Sequence, residues 1–163
     1  DDQNVGASAD SDDDSGYTPT ERPDADGDGV PDSQDDFPND PEYSVEEEVV
    51  DVNKTINEDH WYSWDFDIDT TTRFEYDFIV RSGPAIDFYT MTQSEFRSFE
   101  EGERGRYHSD LSDPDSAGGQ GEGELPPGNY VMVLDNSDNG DASPPTNFDE
   151  DPVQVEFRVI ASK

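Results

Sequence analysis

Cysteine is absent from this 163-residue chain, which excludes disulfides, a thiolate nucleophile and any zinc–thiolate centre. No run of about twenty apolar residues occurs, so no stretch matches a membrane-spanning helix. Basic residues are scarce: 9 Lys plus Arg in all, with Lys54 and Lys163 the two lysines. Nucleic acid is therefore not an expected partner, because counterion release needs clustered Lys and Arg. An anionic lipid surface is reachable only through bridging divalent cations. Histidine occurs twice, at His60 and His108, and neither stands in a nucleophile or metal motif. His60 opens an Asp-His-Trp segment, where a structural hydrogen bond is the ordinary expectation. There is no G-x-S-x-G elbow, H-E-x-x-H helix or Gly-rich phosphate loop, so no catalytic residue is assigned. Adjacent acids such as Glu100 and Glu101 do not make a glycosidase, whose carboxylates must face each other across a sugar cleft.

Acid is what the chain has in excess. Against 9 basic residues stand 43 Asp plus Glu, for a formal charge of -34. Repulsion on that scale opposes compaction, and salt or bound cations are the physical remedies. Two Trp, seven Tyr and nine Phe in patterned runs set the sequence apart from disordered acidic chains, which are poor in aromatics. High acid content with little lysine resembles the proteins of extreme halophiles, haloarchaea in particular.

The acids are not spread evenly. Residues 24–40 read D-A-D-G-D-G-V-P-D-S-Q-D-D-F-P-N-D. Asp24, Asp26 and Asp28 place carboxylates at alternate positions, and Gly29 permits the sharp turn that folds a loop around one ion. Val30 offers a backbone carbonyl, and Asp32 and Asp35 stand at loop positions nine and twelve. Hard oxygen donors at these intervals fit Ca²⁺. Asp35 replaces the usual glutamate and reaches less far, which predicts weaker binding than in an intracellular sensor. The bland alternative is a solvated acidic tail with accidental spacing. With the residues that follow, D-x-D-G-D-G-V-P-D-x-x-D-x-F-P-x-D-P resembles the thrombospondin type 3 repeats of secreted prokaryotic proteins. The resemblance covers Asp24 to Pro41 and implies extracellular calcium ligation without flanking helices. Pro23, Pro31, Pro38 and Pro41 oppose such helices independently. Those repeats usually come in tandem; a single one needs support from elsewhere in the protein.

Composition divides the chain near Tyr43: residues 1–23 as an extended acidic arm, 24–41 as the calcium loop, 42–163 as a folded domain. Residues 1–41 hold fourteen acids and one Arg, and Val5, Tyr17, Val30 and Phe37 cannot form a core. The arm can be ordered only by calcium or by a partner, for which a neighbouring subunit is the simplest candidate. A start at Asp1 fits a mature secreted protein whose leader has been removed. In an exported protein Asn53-Lys54-Thr55 is a glycosylation sequon.

From Tyr43 onward the hydrophobic period is two. Tyr62, Trp64, Phe66 and Ile68 alternate with polar residues, as do Phe74, Tyr76, Phe78 and Val80, and Val153, Val155, Phe157 and Val159. Strands are also expected over 49–56 and 86–91. Tyr130 to Leu134 is apolar on both faces and predicts a central strand. Trp64, Phe66, Phe78, Met132, Val155 and Phe157 are the predicted interior. Thr92, followed by Glu95 and ended by Gly102, predicts one short helix whose Phe96 and Phe99 close an end of the fold. Residues 103–123 read as a long surface loop, with room for a short strand near Arg106 and Tyr107. Together these features predict an all-β protein, a single antiparallel jelly-roll-like sandwich with one helix. The L-x-x-G-x-Y-V-x-V run at Leu125 to Val133, with the upstream aromatic block, resembles the pre-peptidase C-terminal and GOLD-like sandwich modules. That resemblance spans roughly Val45 to Ser162 and implies an accessory, adhesive or cargo-binding role without catalysis.

A second cation site is sketched by Asp135, Asp138 and Asp141 around an Asn-Gly turn, with Asp149, Glu150 and Asp151 in reach from the next loop. Ordinary turn chemistry is the alternative. Two non-enzymatic functions follow. One is an extracellular calcium-binding structural subunit that self-assembles into a homopolymer, a surface or matrix fibre, through calcium and the N-terminal arm. The other is a secreted carbohydrate- or protein-binding module using Trp61, Tyr89 or Tyr107 against a ligand such as a surface glycan. The unusual chemistry lies in the arm and loop, which favours assembly.

Overall fold

The computed structural model describes residues 23–163, so the predicted arm before Pro23 and its docking on a neighbour lie outside the described residues. In chain order the strands are β1 (Glu46–Ile56), β2 (His60–Ile68), β3 (Thr72–Ser82), β4 (Ile86–Thr92), β5 (Asp113–Ser116), β6 (Gly118–Leu125), β7 (Gly128–Asn136) and β8 (Val153–Ser162). One helix, α1 (Gln93–Glu100), follows β4. Two four-stranded sheets run β1-β8-β3-β6 and β2-β7-β4-β5, with every pairing antiparallel. Eight strands exchanged between two sheets in this order make a jelly roll, as the sequence predicts.

The core forms because alternation puts apolar side chains between the sheets. Phe74, Tyr76 and Phe78 of β3 and Val153, Val155, Phe157 and Val159 of β8 meet Phe88, Met132 and Leu134 from the opposite sheet. Phe157 sits at the junction, with ring centroids 5.1 Å from Trp64 and 5.0 Å from Phe88. Trp64 and Phe66, predicted to be fully inside, are only half-buried, and Tyr62 is 41 % exposed. The cause is topological: β2 pairs with β7 alone and lies at a sheet edge, a position that two-residue periodicity does not reveal. Tyr62 is covered instead by Lys54, whose ammonium lies 4.3 Å from the ring centre.

The central strand of the second sheet, β7, is buried on both faces, as expected. Its inner face joins the sandwich core. Its outer face, with Tyr89 and Met91 of β4, forms a second apolar layer beneath Phe96 and Phe99 of α1, flanked by Trp61. The helix therefore covers the outside of a sheet and does not close an end of the sandwich. Thr92 caps α1, its hydroxyl accepting from the Glu95 N–H at 3.3 Å. Glu95 does not complete the capping box; its carboxylate accepts from the Arg106 N–H at 2.8 Å and ties down the following loop.

The segment 103–123 departs from the predicted loop. It carries a single 3-10 turn (Ser109–Leu111), β5 and most of β6, and no strand at Arg106 and Tyr107. Gly119, Gly121 and Gly123 disguise β6, yet they are what lets it pair with β3. A Cβ on Gly121 would stand 2.7 Å from a Tyr76 ring carbon, and one on Gly119 would strike the Asp113 carboxylate. Side chains that neighbouring segments send over this strand occupy the space its own would need.

Phe157→Ala should destabilise the protein by about 3–5 kcal/mol in denaturant titration at high salt, the loss expected for a fully buried aromatic. Trp64→Ala should cost clearly less, and Gly121→Val should destabilise despite its higher strand propensity. A neutral response at Phe157 would contradict the described core.

Candidate metal centre

Asp24, Asp26 and Asp28 converge: one carboxylate oxygen from each lies within 4.8 Å of the others. The loop folds this way because each carboxylate accepts from backbone N–H groups just ahead of it. Asp24 accepts from Gly27 at 2.8 Å and Gly29 at 3.2 Å, Asp26 from Asp28 at 3.2 Å, and Asp28 from Val30 at 2.7 Å. Gly27 and Gly29 take φ of +80° and +97°, the left-handed region a side chain resists. Asp32 closes the loop, its N–H donating to the Pro23 carbonyl at 2.8 Å while its carboxylate accepts from Ala25 at 2.7 Å.

Asp32 and Asp35 are not part of the converging trio. Asp35 is buried, with one oxygen accepting from the Phe37 N–H at 2.7 Å. Its other oxygen is shielded from solvent and has no hydrogen-bond partner, and the same holds for one oxygen of Asp26. A shielded carboxylate oxygen without a donor is an unfavourable arrangement that a cation relieves. The donor set is all oxygen, which fits Ca²⁺ in preference to a softer metal. Val30 is half-buried in the loop.

The single loop does find the support that its solitary state requires. Asp36 donates its N–H to the Ser44 carbonyl at 3.0 Å and accepts from the Glu46 N–H at 2.9 Å. Ser44 and Val45 both donate to the Lys163 carbonyl, joining the loop to the end of β8. Phe37 packs on Tyr43, whose hydroxyl donates to Glu124 on β6. The hydrogen bond to that carboxylate, helped by burial, pushes the Tyr43 phenol up to about 12. The predicted boundary near Tyr43 is thus a joint between loop and sandwich.

The second predicted cluster does not assemble as drawn. Asp138 and Asp141 are exposed, and Asp141 is engaged by Arg104 at 3.3 Å and the Tyr89 hydroxyl at 3.2 Å. Asp149 and Glu150 are exposed as well. Asp135 instead lies inside the protein with no exposure, directly opposite Asp87 of β4, which is equally buried. Sequence reasoning missed Asp87 because an acid in a short strand reads as a solvent-facing residue; the available signal was its place in the apolar run Ile86 to Met91. Asp87 accepts from the N–H of Asp115 at 2.7 Å and of Ala142 at 2.8 Å. Asp135 accepts from the Ser137 N–H at 3.1 Å, and its other oxygen has no partner. Burial pushes the Asp135 carboxyl up to about 7; the Asp87 charge adds to this and hydrogen bonding from Ser137 opposes it. Burial also raises Asp87.

Of the aromatic residues read as a ligand platform, Tyr89 is buried and Trp61 half-buried against Phe99. Tyr107 alone of the three is well exposed. Asn53 is exposed on β1, an edge strand, and accepts from Gln154 at 3.3 Å. His60 bonds the Glu58 carbonyl at 2.7 Å, the structural role expected of it. Among the described residues no helix is long and apolar enough to cross a membrane.

No protein-family model matches the chain, and no curated protein matches it. Among solved structures it is similar to the pre-peptidase C-terminal domain of a collagenase from Bacillus anthracis, at 12% identity and a TM-score of 0.38, over 65% of this chain and 89% of that one. The assignment to the all-β sandwich class stands on the strand pairing itself.

Proposed function

We propose that this protein is an extracellular calcium-binding structural protein, the subunit of a calcium-dependent surface or matrix fibre of a halophile. The observation that carries the reading is the trio Asp24, Asp26 and Asp28, converged in a loop whose Asp36 hydrogen-bonds to Ser44 and Glu46 where the sandwich begins. In this reading Ca²⁺ takes ligands from the trio, with Asp32, Asp35 and the Val30 carbonyl completing the shell. It stiffens the joint from which the N-terminal arm leaves. At -34, subunits repel one another, and divalent ions between acidic faces turn repulsion into cohesion. Head-to-tail repetition of an arm-to-sandwich contact gives an open fibre when the rotation does not close. No catalytic role is assigned to any residue.

A cleft of about 120 Å³ favours a second reading, an accessory carbohydrate-binding module. It is lined by Tyr89, Tyr107, Arg104, Asn139 and Asp141, an aromatic floor with polar groups at its rim.

Replacing Asp24 and Asp28 together with Asn should remove most calorimetric calcium binding by the loop. Unchanged affinity and stoichiometry would eliminate the loop as a site. Chelating calcium at constant high ionic strength should dissolve assemblies seen by electron microscopy while the far-ultraviolet spectrum of the sandwich persists. Deletion of residues 1–41 should leave a soluble monomer, and continued polymerisation of that truncated protein would refute the role of the arm. Binding of a neutral sugar that is lost in Tyr107→Ala, with no calcium-dependent assembly, would favour the second reading.

A further inference from the structure

The most unusual chemistry in the described residues, outside the loop, is the Asp87–Asp135 pair. The two residues are directly opposed on adjacent antiparallel strands, so their side chains leave the same face of the sheet. That face is the outer one, where Tyr89, Met91, Val131 and Val133 pack beneath α1. Both acids are wholly inaccessible, and among the described residues no ion pair reaches either of them. The nearby cation, Arg104, is committed to Asp141 and is itself 84% exposed. Two carboxylates are thus held together in an apolar setting with no positive side chain to balance them, an arrangement that is strongly unfavourable when both are charged.

The segment after β7 is built around this pair. Ser137 donates its N–H to Asp135, Ala142 donates to Asp87, and Asp141 donates to the Tyr89 hydroxyl at 3.0 Å. Gly140 lies so close that a Cβ there would stand 2.0 Å from an Asp87 oxygen. From the other side Asp115, at φ +47°, turns its N–H onto Asp87. Backbone N–H groups thus occupy both oxygens of Asp87 and one of Asp135. The remaining Asp135 oxygen is buried and unpartnered.

We propose that Asp87 and Asp135, closed over by residues 137–142, hold a divalent metal cation, calcium in a calcium-bearing medium, as an internal clamp between sheet and loop. The charge of the ion balances the two carboxylates, and the open Asp135 oxygen is its first ligand. The clamp fixes the Asp138–Asp141 loop over the outer layer. The site is independent of the Asp24–Asp35 loop and stands or falls separately from the function proposed above.

The test uses the full chain carrying Asp24→Asn and Asp28→Asn, metal-stripped at high salt, with calcium chloride and terbium chloride as probes. One calcium ion per chain should remain bound in equilibrium dialysis, and calcium should raise the melting temperature. Trp61 is the direct cross-strand neighbour of Asp135, so bound terbium should luminesce on tryptophan excitation and be displaced by calcium. Trp61→Phe should dim that emission severalfold without changing the number of ions bound. Adding Asp135→Asn should abolish binding, emission and the thermal shift. Should that variant fail to fold, Asp87→Asn and the Trp61→Phe measurement on the folded protein decide the matter. Absence of any bound ion in the Asp24→Asn/Asp28→Asn chain would overturn the proposal, as would emission indifferent to Trp61. Proton uptake by the pair, with no ion bound, would show that the carboxyls share a proton instead. The difference in ion count between the wild type and the double variant tests the N-terminal loop, so failure of one site is distinguishable from failure of the other.

Discussion

Like-charge repulsion governs this molecule. With 43 acids and 9 basic residues, every structural feature must either keep carboxylates apart in water or hold them together with something positive. The first solution is geometric. Along β2, β3 and β8 the two-residue period sends Asp65, Asp67, Glu75, Asp77 and Glu156 to the outer faces of the sheets while aromatic and β-branched residues meet inside. The cations take part in that surface: Arg73 bridges Glu75, Arg81 bridges Glu156 at 2.7 Å, and Arg158 bridges Glu48 at 2.6 Å. Exposed pairs of this kind are individually worth little, about 0–1 kcal/mol. Their effect is to interrupt a negative surface; the stability of the fold comes from the core centred on Phe157.

The second solution is chemical, and it occurs where geometry brings acids together. At the N-terminal loop the carboxylates are held by the backbone in successive turns and lie largely at the surface, where ions have ready access. At Asp87 and Asp135 they lie inside, fixed by N–H groups of β5 and of the segment after β7. The two places differ in consequence. A cation at the surface loop would stiffen its joint with the sandwich, and a cation at the internal pair would seat one loop. Both would link stability and assembly to the same external variable, the concentration of divalent ions.

Much of this was legible in the sequence. Alternation located β2, β3 and β8, the double-faced apolar run located β7, and Thr92 located the start of α1. What was missed has specific physical causes. Strand β6 is written in glycine because Tyr76, Asp113 and Leu111 occupy the space its side chains would need, so composition reports a loop where pairing makes a strand. The helix went to the wrong place because periodicity cannot distinguish an inward from an outward apolar face once a strand is buried on both. Trp64 was placed too deep because an edge position is a property of topology. The convergence of Asp24, Asp26 and Asp28 was legible because the loop that brings them together is local in sequence. The Asp87–Asp135 pair was not, since 48 positions separate its members and only the register of β4 with β7 joins them.

The central claim is that divalent cations supply the positive charge that this chain lacks. Its most direct measure is the melting temperature of the full chain as a function of free calcium at constant high ionic strength, with magnesium as the control. A ligand that binds the folded state preferentially stabilises it by RT ln(1 + [L]/Kd), so the melting temperature should climb with the logarithm of calcium once the weaker site begins to fill. Magnesium, which resists dehydration and demands stricter geometry, should give a distinctly smaller rise. A flat response to calcium, or identical curves for the two ions, would mean that screening by salt, and not bound cations, offsets the repulsion.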